Sequence, residues 1–193
     1  MSGEVGPPTN AGTVTPKARL ATAWLGGCSG CHMSFLDLDE RLLELAQLAD
    51  LVFSPIADVK EFPTDVDVTL VEGAVANEDH LAMIQLIRSR TKVLVALGDC
   101  AVTGNVTAIR NTIPLRSVLE TAYVERTTHS PGVPNEPRIV PRLLERVEPL
   151  HRVVTVDRYL PGCPPSADQI WQTIVGLLSG EPAPEARPTA KFG

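Results

Sequence analysis

Aromatic residues are scarce: two Trp, two Tyr and four Phe, 4% of 193 residues. So few rings argue against a surface that stacks bases or sugars. Basic runs are missing too, and the formal net charge is −6. Nucleic acid and anionic membrane are therefore poor partners on electrostatic grounds. No apolar stretch approaches the ~20 residues that a membrane-spanning helix requires. Met1 to Lys17 is rich in Gly, Pro and Thr and carries neither an apolar signal core nor a twin arginine. The expected location is the cytoplasm, where thiols stay reduced. Cysteine is sparse as well, four residues in all. In a reducing compartment four cysteines read as metal ligands or redox groups before they read as disulfides.

What is present is a globular composition, with 44% hydrophobic residues, enough for one domain with a real core. Residues 1–17 are expected to form a flexible lead and 180–193, with Pro182, Pro184 and Pro188, a flexible tail. Residues 18–179 alternate strand and helix patterns. Arg19 to Leu25 reads as a buried strand. Phe35 to Ala49 has apolar residues at helical spacing: Phe35, Leu38, Leu42, Leu45 and Leu48. Leu51 to Ser54 and Asp67 to Val71 are short strands. Asn77 is placed to cap a helix with an apolar stripe at Leu81, Ile84 and Ile87. Lys92 to Leu97 is a continuous apolar run, as in a strand covered on both faces. Further on, Leu115 to Glu125 reads as helical and Thr127 to Pro141 as loop. Arg152 to Val156 reads as a last strand and Ser166 to Leu178 as a closing helix. The alternation predicts an α/β fold, a single flavodoxin-like doubly wound parallel sheet.

The cysteines fall where predicted strands end. Cys28 and Cys31, in Cys-Ser-Gly-Cys, follow the first strand. Cys100, in Gly98-Asp99-Cys100, follows the strand ending at Leu97. Cys163, in Pro161-Gly162-Cys163-Pro164-Pro165, lies between a strand and a helix. In an open parallel sheet those ends share the edge where ligands bind. Four thiolates converging there suit a cubane iron–sulfur cluster. The glycines beside them allow close backbone approach, and helix starts add positive dipole ends. Two other readings stay open from the residues alone. A structural zinc site also takes four cysteines, though usually as two Cys-x-x-Cys pairs. A thioredoxin-like dithiol at Cys28 and Cys31 leaves Cys100 and Cys163 unexplained.

Four motifs point further: Trp24-Leu25-Gly26-Gly27-Cys28-Ser29-Gly30-Cys31-His32-Met33-Ser34, Val71-Glu72-Gly73-Ala74-Val75, Gly98-Asp99-Cys100-Ala101-Val102-Thr103-Gly104 and Pro161-Gly162-Cys163-Pro164-Pro165. In this order they resemble the small subunit of nickel–iron hydrogenases, over about Arg19 to Leu178. Within that family the chain looks most like the cytoplasmic NAD-reducing, bidirectional type. The wider family includes the cluster-bearing subunit of respiratory complex I, whose adjacent cysteines at the first position are not matched here. The resemblance implies that Cys28, Cys31, Cys100 and Cys163 hold one proximal 4Fe–4S cluster. It implies a nickel–iron site on a large-subunit partner. It also implies diaphorase partners bearing FMN and further iron–sulfur clusters. This chain would then relay electrons without splitting hydrogen itself. A related hydrogenase with another acceptor, a deazaflavin or a ferredoxin, is the alternative, beside a zinc-structured interaction domain. Flavin is not expected in this chain, because Gly-Gly-Cys-Ser-Gly-Cys occupies the place of the phosphate-binding loop.

Secondary residues have plainer expectations. Glu72 ends an apolar strand and is either solvated at the sheet edge or a proton-linked group near the cluster. His32 is either a donor to a cluster sulfur or exposed on its loop. His80, His129 and His151 are expected on the surface, Asp99 as a brace of the Cys100 loop, and Trp24 and Trp171 in core or interface.

Overall fold

The computed structural model describes residues 16–128, 130–136 and 139–180. Residues 1–15 of the expected lead, 181–193 of the expected tail, and His129 lie outside the described residues.

Five strands form one all-parallel sheet: β1 (Ala18–Trp24), β2 (Ala49–Phe53), β3 (Val66–Glu72), β5 (Thr91–Leu97) and β7 (Arg158–Leu160). Their order is β2-β1-β3-β5-β7. A short antiparallel pair, β4 (Val75–Asn77) with β6 (Leu143–Glu148), stands apart from it. Neither member of that pair is legible as a strand in the sequence. The helices are α1 (Gly30–Leu36), α2 (Arg41–Leu48), α3 (Glu78–Arg90), α4 (Gly98–Thr103), α5 (Leu115–Glu120) and α6 (Ala167–Leu178). The sheet is the expected doubly wound α/β architecture, because both of its faces are covered. Leu20, Leu70, Val95 and Leu97 pack with Phe35, Leu45, Ile170 and Ile174 on one face. Ala21, Val71, Leu94 and Ala96 pack with Ile84, Ile87, Phe53 and Leu150 on the other. Neighbouring strand residues therefore point to opposite cores, the two-residue period of a sheet. Each large aliphatic side chain buried this way contributes roughly 1.5–3 kcal/mol. Among the described residues no helix is long and apolar enough to cross a membrane.

The capping chemistry explains two helix starts. The Asn77 side chain accepts the His80 backbone N–H at 2.8 Å. Ser166 and Gln169 form a reciprocal capping box. Three expectations need correction. The single helix over Phe35–Ala49 is two helices, broken at Asp37–Glu40 where Asp39 takes φ +50°. The apolar stripe runs through the break because α1 and α2 serve the same core. Arg152–Val156 is not a strand; Pro149 opens a 3₁₀ turn at Leu150–Arg152, and the strand beside β5 is Arg158–Leu160. His80 is half-buried rather than on the surface: the Ala76 N–H donates to its Nδ1 at 3.3 Å, and burial pulls its pKa down against the charge of Asp79. His151 is exposed, as expected.

Asp157 ties β7 to the rest. Its Oδ2 accepts from the Leu94 N–H at 2.7 Å and from Arg88 Nη1 at 2.5 Å, and its own N–H donates to the Leu94 carbonyl at 3.0 Å. Burial pushes its carboxyl up, but the Leu94 and Arg88 donors and nearby positive charge outweigh this and hold it below the ordinary value. A depressed folded-state pKa stabilises the fold fully above the unfolded value, and that contribution fades as pH falls through the folded value. Asp157→Ala is expected to cost about 1.5 kcal/mol at pH 7, less as the medium is acidified below pH 4. Denaturant unfolding of the full chain at both pH values checks this, and a gap that widens in acid contradicts it.

Candidate metal centre

The strands that lead to the cysteines are neighbours and end in one row. Trp24 pairs with Glu72, Glu72 with Leu97, and Leu97 with Leu160. Cys28, Cys100 and Cys163 follow within four residues of Trp24, Leu97 and Leu160, and Cys31 lies in the first turn of α1. This edge includes the switch point between β1 and β3, the usual place for a ligand in such a sheet.

The loops are stitched to one another by backbone bonds. The Leu25 N–H donates to the Glu72 carbonyl at 2.8 Å. Gly26 and Ala74 exchange N–H···O bonds at 2.9 and 2.8 Å. Gly73 sits at φ +89°, and a Cβ there would lie 2.9 Å from the Gly26 oxygen, so only glycine fits this crossing. Asp99 clamps the second and third cysteine loops together. Its N–H donates to the Gly162 carbonyl at 2.8 Å, and its Oδ1 accepts the Gly162 N–H at 2.7 Å. The brace expected of Asp99 is thus reciprocal and joins two loops. Ser34 Oγ donates to the Pro165 carbonyl at 2.6 Å, fastening α1 to the third loop. Gly98 lies at φ +80°, and a Cβ there would stand 2.2 Å from Cys31 Sγ. The first and second cysteine loops are therefore in direct contact.

All four cysteines are free thiols; Cys31 and Cys100 are buried, Cys28 and Cys163 exposed. Burial pushes the Cys31 thiol up to about 12, with Glu72 and then Cys100, Cys28 and Cys163 adding to it. Burial also raises Cys100, with Cys28, Cys163, Glu72 and Asp99 adding charge of the same sign. Strand register, the Asp99–Gly162 and Ser34–Pro165 bonds and the Gly98–Cys31 approach put the three loops that carry the four cysteines side by side at one sheet edge. Unaided, Cys31 and Cys100 resist becoming thiolates. A bound cation reverses that balance, since coordination deprotonates thiols. Among the described residues no group of three or more His, Cys, Asp or Glu is placed to hold a single metal ion. An all-sulfur donor set carried on three loops suits a larger polynuclear body, whose natural protein ligands are thiolates.

Glu72 is not solvated: it is 2% exposed. Its Oε2 accepts the His32 backbone N–H at 2.9 Å and contacts His32 Nδ1 at 2.5 Å. His32 is buried too, so the expectation of an exposed ring fails. The Trp24 ring meets it edge-on, centroids 5.2 Å apart. Trp24 itself remains partly exposed, and Trp171 lies half-buried under the Arg41 guanidinium. The His32–Glu72 pair was invisible in the sequence, because the partners lie on different loops. Glu72→Ala would leave two buried donors without an acceptor and is expected to cost about 3 kcal/mol. Glu72→Gln keeps one acceptor oxygen and should cost less. Anaerobic urea unfolding of the three full chains checks the order; equal midpoints for wild type and Glu72→Ala contradict it.

The fold and the cysteine edge together define a class: a flavodoxin-like α/β domain with four cysteine thiols on the loops where its parallel strands end. The model of the NADH:ubiquinone oxidoreductase 20 kDa subunit family matches residues 28–177. The chain belongs to that family, as a member of the nickel–iron hydrogenase small-subunit type. It is 41% identical over 170 residues to the delta chain of the NAD-reducing hydrogenase HoxS of Cupriavidus necator, covering 86% of this chain and 81% of that one. It is 39% identical over 173 residues to a chain of the F420-non-reducing hydrogenase of Methanothermobacter marburgensis, covering 86% of this chain but only 54% of that relative. A chain in the crystal structure of an NAD+-reducing nickel–iron hydrogenase in the H2-reduced state superposes with a TM-score of 0.85 at 41% identity. That match covers 92% of this chain and 99% of the other. A Ni-Fe-Se hydrogenase of Desulfomicrobium baculatum, at 20% identity and TM-score 0.57, shares the fold alone.

Proposed function

We propose that Cys28, Cys31, Cys100 and Cys163 hold one 4Fe–4S cluster. The chain then works as the electron-relay subunit of a cytoplasmic nickel–iron hydrogenase that reduces NAD. The observation that carries this is the placement of four reduced thiols on three adjacent loops at one sheet edge, joined by the Asp99–Gly162 and Ser34–Pro165 bonds and the Gly98–Cys31 approach. A 4Fe–4S cluster bound there supplies a one-electron store whose charge spreads over iron and sulfur. The protein's part is to hold the four sulfurs, to leave room for the Cys31 sulfur at Gly98, and to lock the three loops through Asp99, Ser34 and the Gly26–Ala74 crossing.

This chain offers four cysteines in all, so a full cubane leaves none for a nickel–iron site. That site belongs on a large-subunit partner, and FMN with further clusters on diaphorase partners. Apolar side chains exposed beside the cysteine loops support a partner there: Trp24, Met33 and Val106 are 41%, 59% and 55% exposed. A second reading, the same relay serving another acceptor, has the 39% identity to the F420-non-reducing relative in its favour. The near-complete mutual coverage with the NAD+-reducing enzyme's chain favours the first.

The test is elemental analysis of the tagged chain, drawn anaerobically from its host with whatever it binds. Cluster-bearing partners raise the iron total, so iron and sulfide are counted on this chain after separation. The expected result is about four iron and four acid-labile sulfide, with nickel in the same preparation. Zinc without sulfide or nickel would sink the proposal. Glu72, buried beside His32 and within electrostatic reach of Cys31, is proposed as a proton-linked carboxylate of the complex. Glu72→Gln should slow proton-coupled turnover by tenfold or more, about 1.4 kcal/mol in barrier; unchanged turnover removes that role.

A further inference from the structure

The relay reading leaves Asn105, at the cysteine edge, without a task. Asn105 Nδ2 donates to Cys163 Sγ at 3.4 Å, a separation suited to an N–H···S bond. The side chain is aimed there by its own backbone. Asn105 sits at φ +36°, in the left-handed region that asparagine tolerates better than most residues. It follows Gly104 at φ +88°, so the chain turns sharply at the end of α4. The Asn105 N–H is held by Thr103 Oγ1 at 3.3 Å, and that hydroxyl donates to the Asp99 carbonyl at 2.9 Å.

The segment from Asp99 to Asn105 thus grips the Cys163 loop twice. Asp99 holds it through the Gly162 backbone, and Asn105 reaches the sulfur itself. The first contact is enough to position the loop. The second adds a neutral donor on a ligand atom, which is an electronic rather than a structural contribution. An N–H pointing at a cysteinyl sulfur draws charge from it and favours the more negative, reduced state of whatever iron it binds.

We infer that Asn105 is a positioning residue whose amide donates to the Cys163 sulfur and raises the reduction potential of the cluster. The inference rests on the proposed cluster at Cys28, Cys31, Cys100 and Cys163. It assigns this chain a potential-setting device outside its ligand set.

The test is a potentiometric titration, followed by low-temperature electron paramagnetic resonance, of the full chain loaded anaerobically with iron and sulfide. The chain alone carries one set of cysteines, so one couple is read. Asn105→Gly keeps a residue suited to the left-handed backbone and removes the donor. Asn105→Asp keeps the side-chain shape and replaces the donor with a negative acceptor. Both should bind the wild-type complement of iron. Asn105→Gly is expected to disfavour reduction by about tenfold, which is 59 mV for one electron, and Asn105→Asp by more. A wild-type chain that takes up no cluster overturns the relay reading and this inference together. A cluster of unchanged potential in both variants overturns the inference and leaves the relay reading standing. Failure of both variants to hold iron that wild type holds makes Asn105 structural and also overturns it. If Asn105→Gly alone fails to load, the Asn105→Asp potential decides.

Discussion

A row of parallel pairings, Trp24 to Glu72 to Leu97 to Leu160, is the constraint on which the rest depends. It ends four adjacent strands level with one another, so the loops that follow must share one edge. A slip of one residue in any pairing would turn a strand's side chains to the wrong core. The two cores forbid this: Leu94 and Ala96 face one, Val95 and Leu97 the other. Hydrophobic burial far from the cysteines therefore sets their relative positions. The local bonds, Asp99 to Gly162 and Gly26 to Ala74, refine an arrangement already fixed by register.

The same edge concentrates charge of one sign. Burial raises the pKa of Cys31 and of Cys100, and Glu72 and the neighbouring cysteines add to both shifts. In the bare protein this opposes ionisation. Iron bound there would turn the opposition into affinity, because the thiolates would then surround positive charge. Metal binding and the final ordering of this edge should accordingly be coupled, with protons released as iron enters. The buried His32–Glu72 pair lies close by, where it can hold the start of α1 and keep a carboxylate near the sulfurs without solvent.

The parallel sheet was legible because its strands are short apolar runs closed by glycine or cysteine loops, a signal local in sequence. The cysteine edge was legible for the same reason, since each cysteine loop follows a strand immediately. What failed to show was tertiary. The break between α1 and α2 hides because one helical stripe spans it. The run Arg152–Val156 has the residues of a strand, yet Val153, Val154 and Val156 pack as irregular chain against the core that contains Leu150. The true edge strand, Arg158–Leu160, is too short to announce itself. Its anchor, Asp157 on Arg88 and Leu94, joins residues distant in the chain. The Glu72–His32 pair and the Asn105–Cys163 contact are of the same kind, and no local pattern encodes them. For Asn105 the Gly104-Asn105 dipeptide was a turn signal, but it said nothing of the sulfur.

The central claim is that four thiols on three loops hold a single polynuclear iron centre. Mössbauer spectroscopy of the full chain loaded anaerobically with iron-57 and sulfide addresses it most directly. The account predicts one four-iron species with delocalised valence, lost as a whole when Cys31 or Cys100 is replaced by alanine. Isolated ferrous or ferric tetrathiolate iron, or iron uptake indifferent to those cysteines, would contradict it.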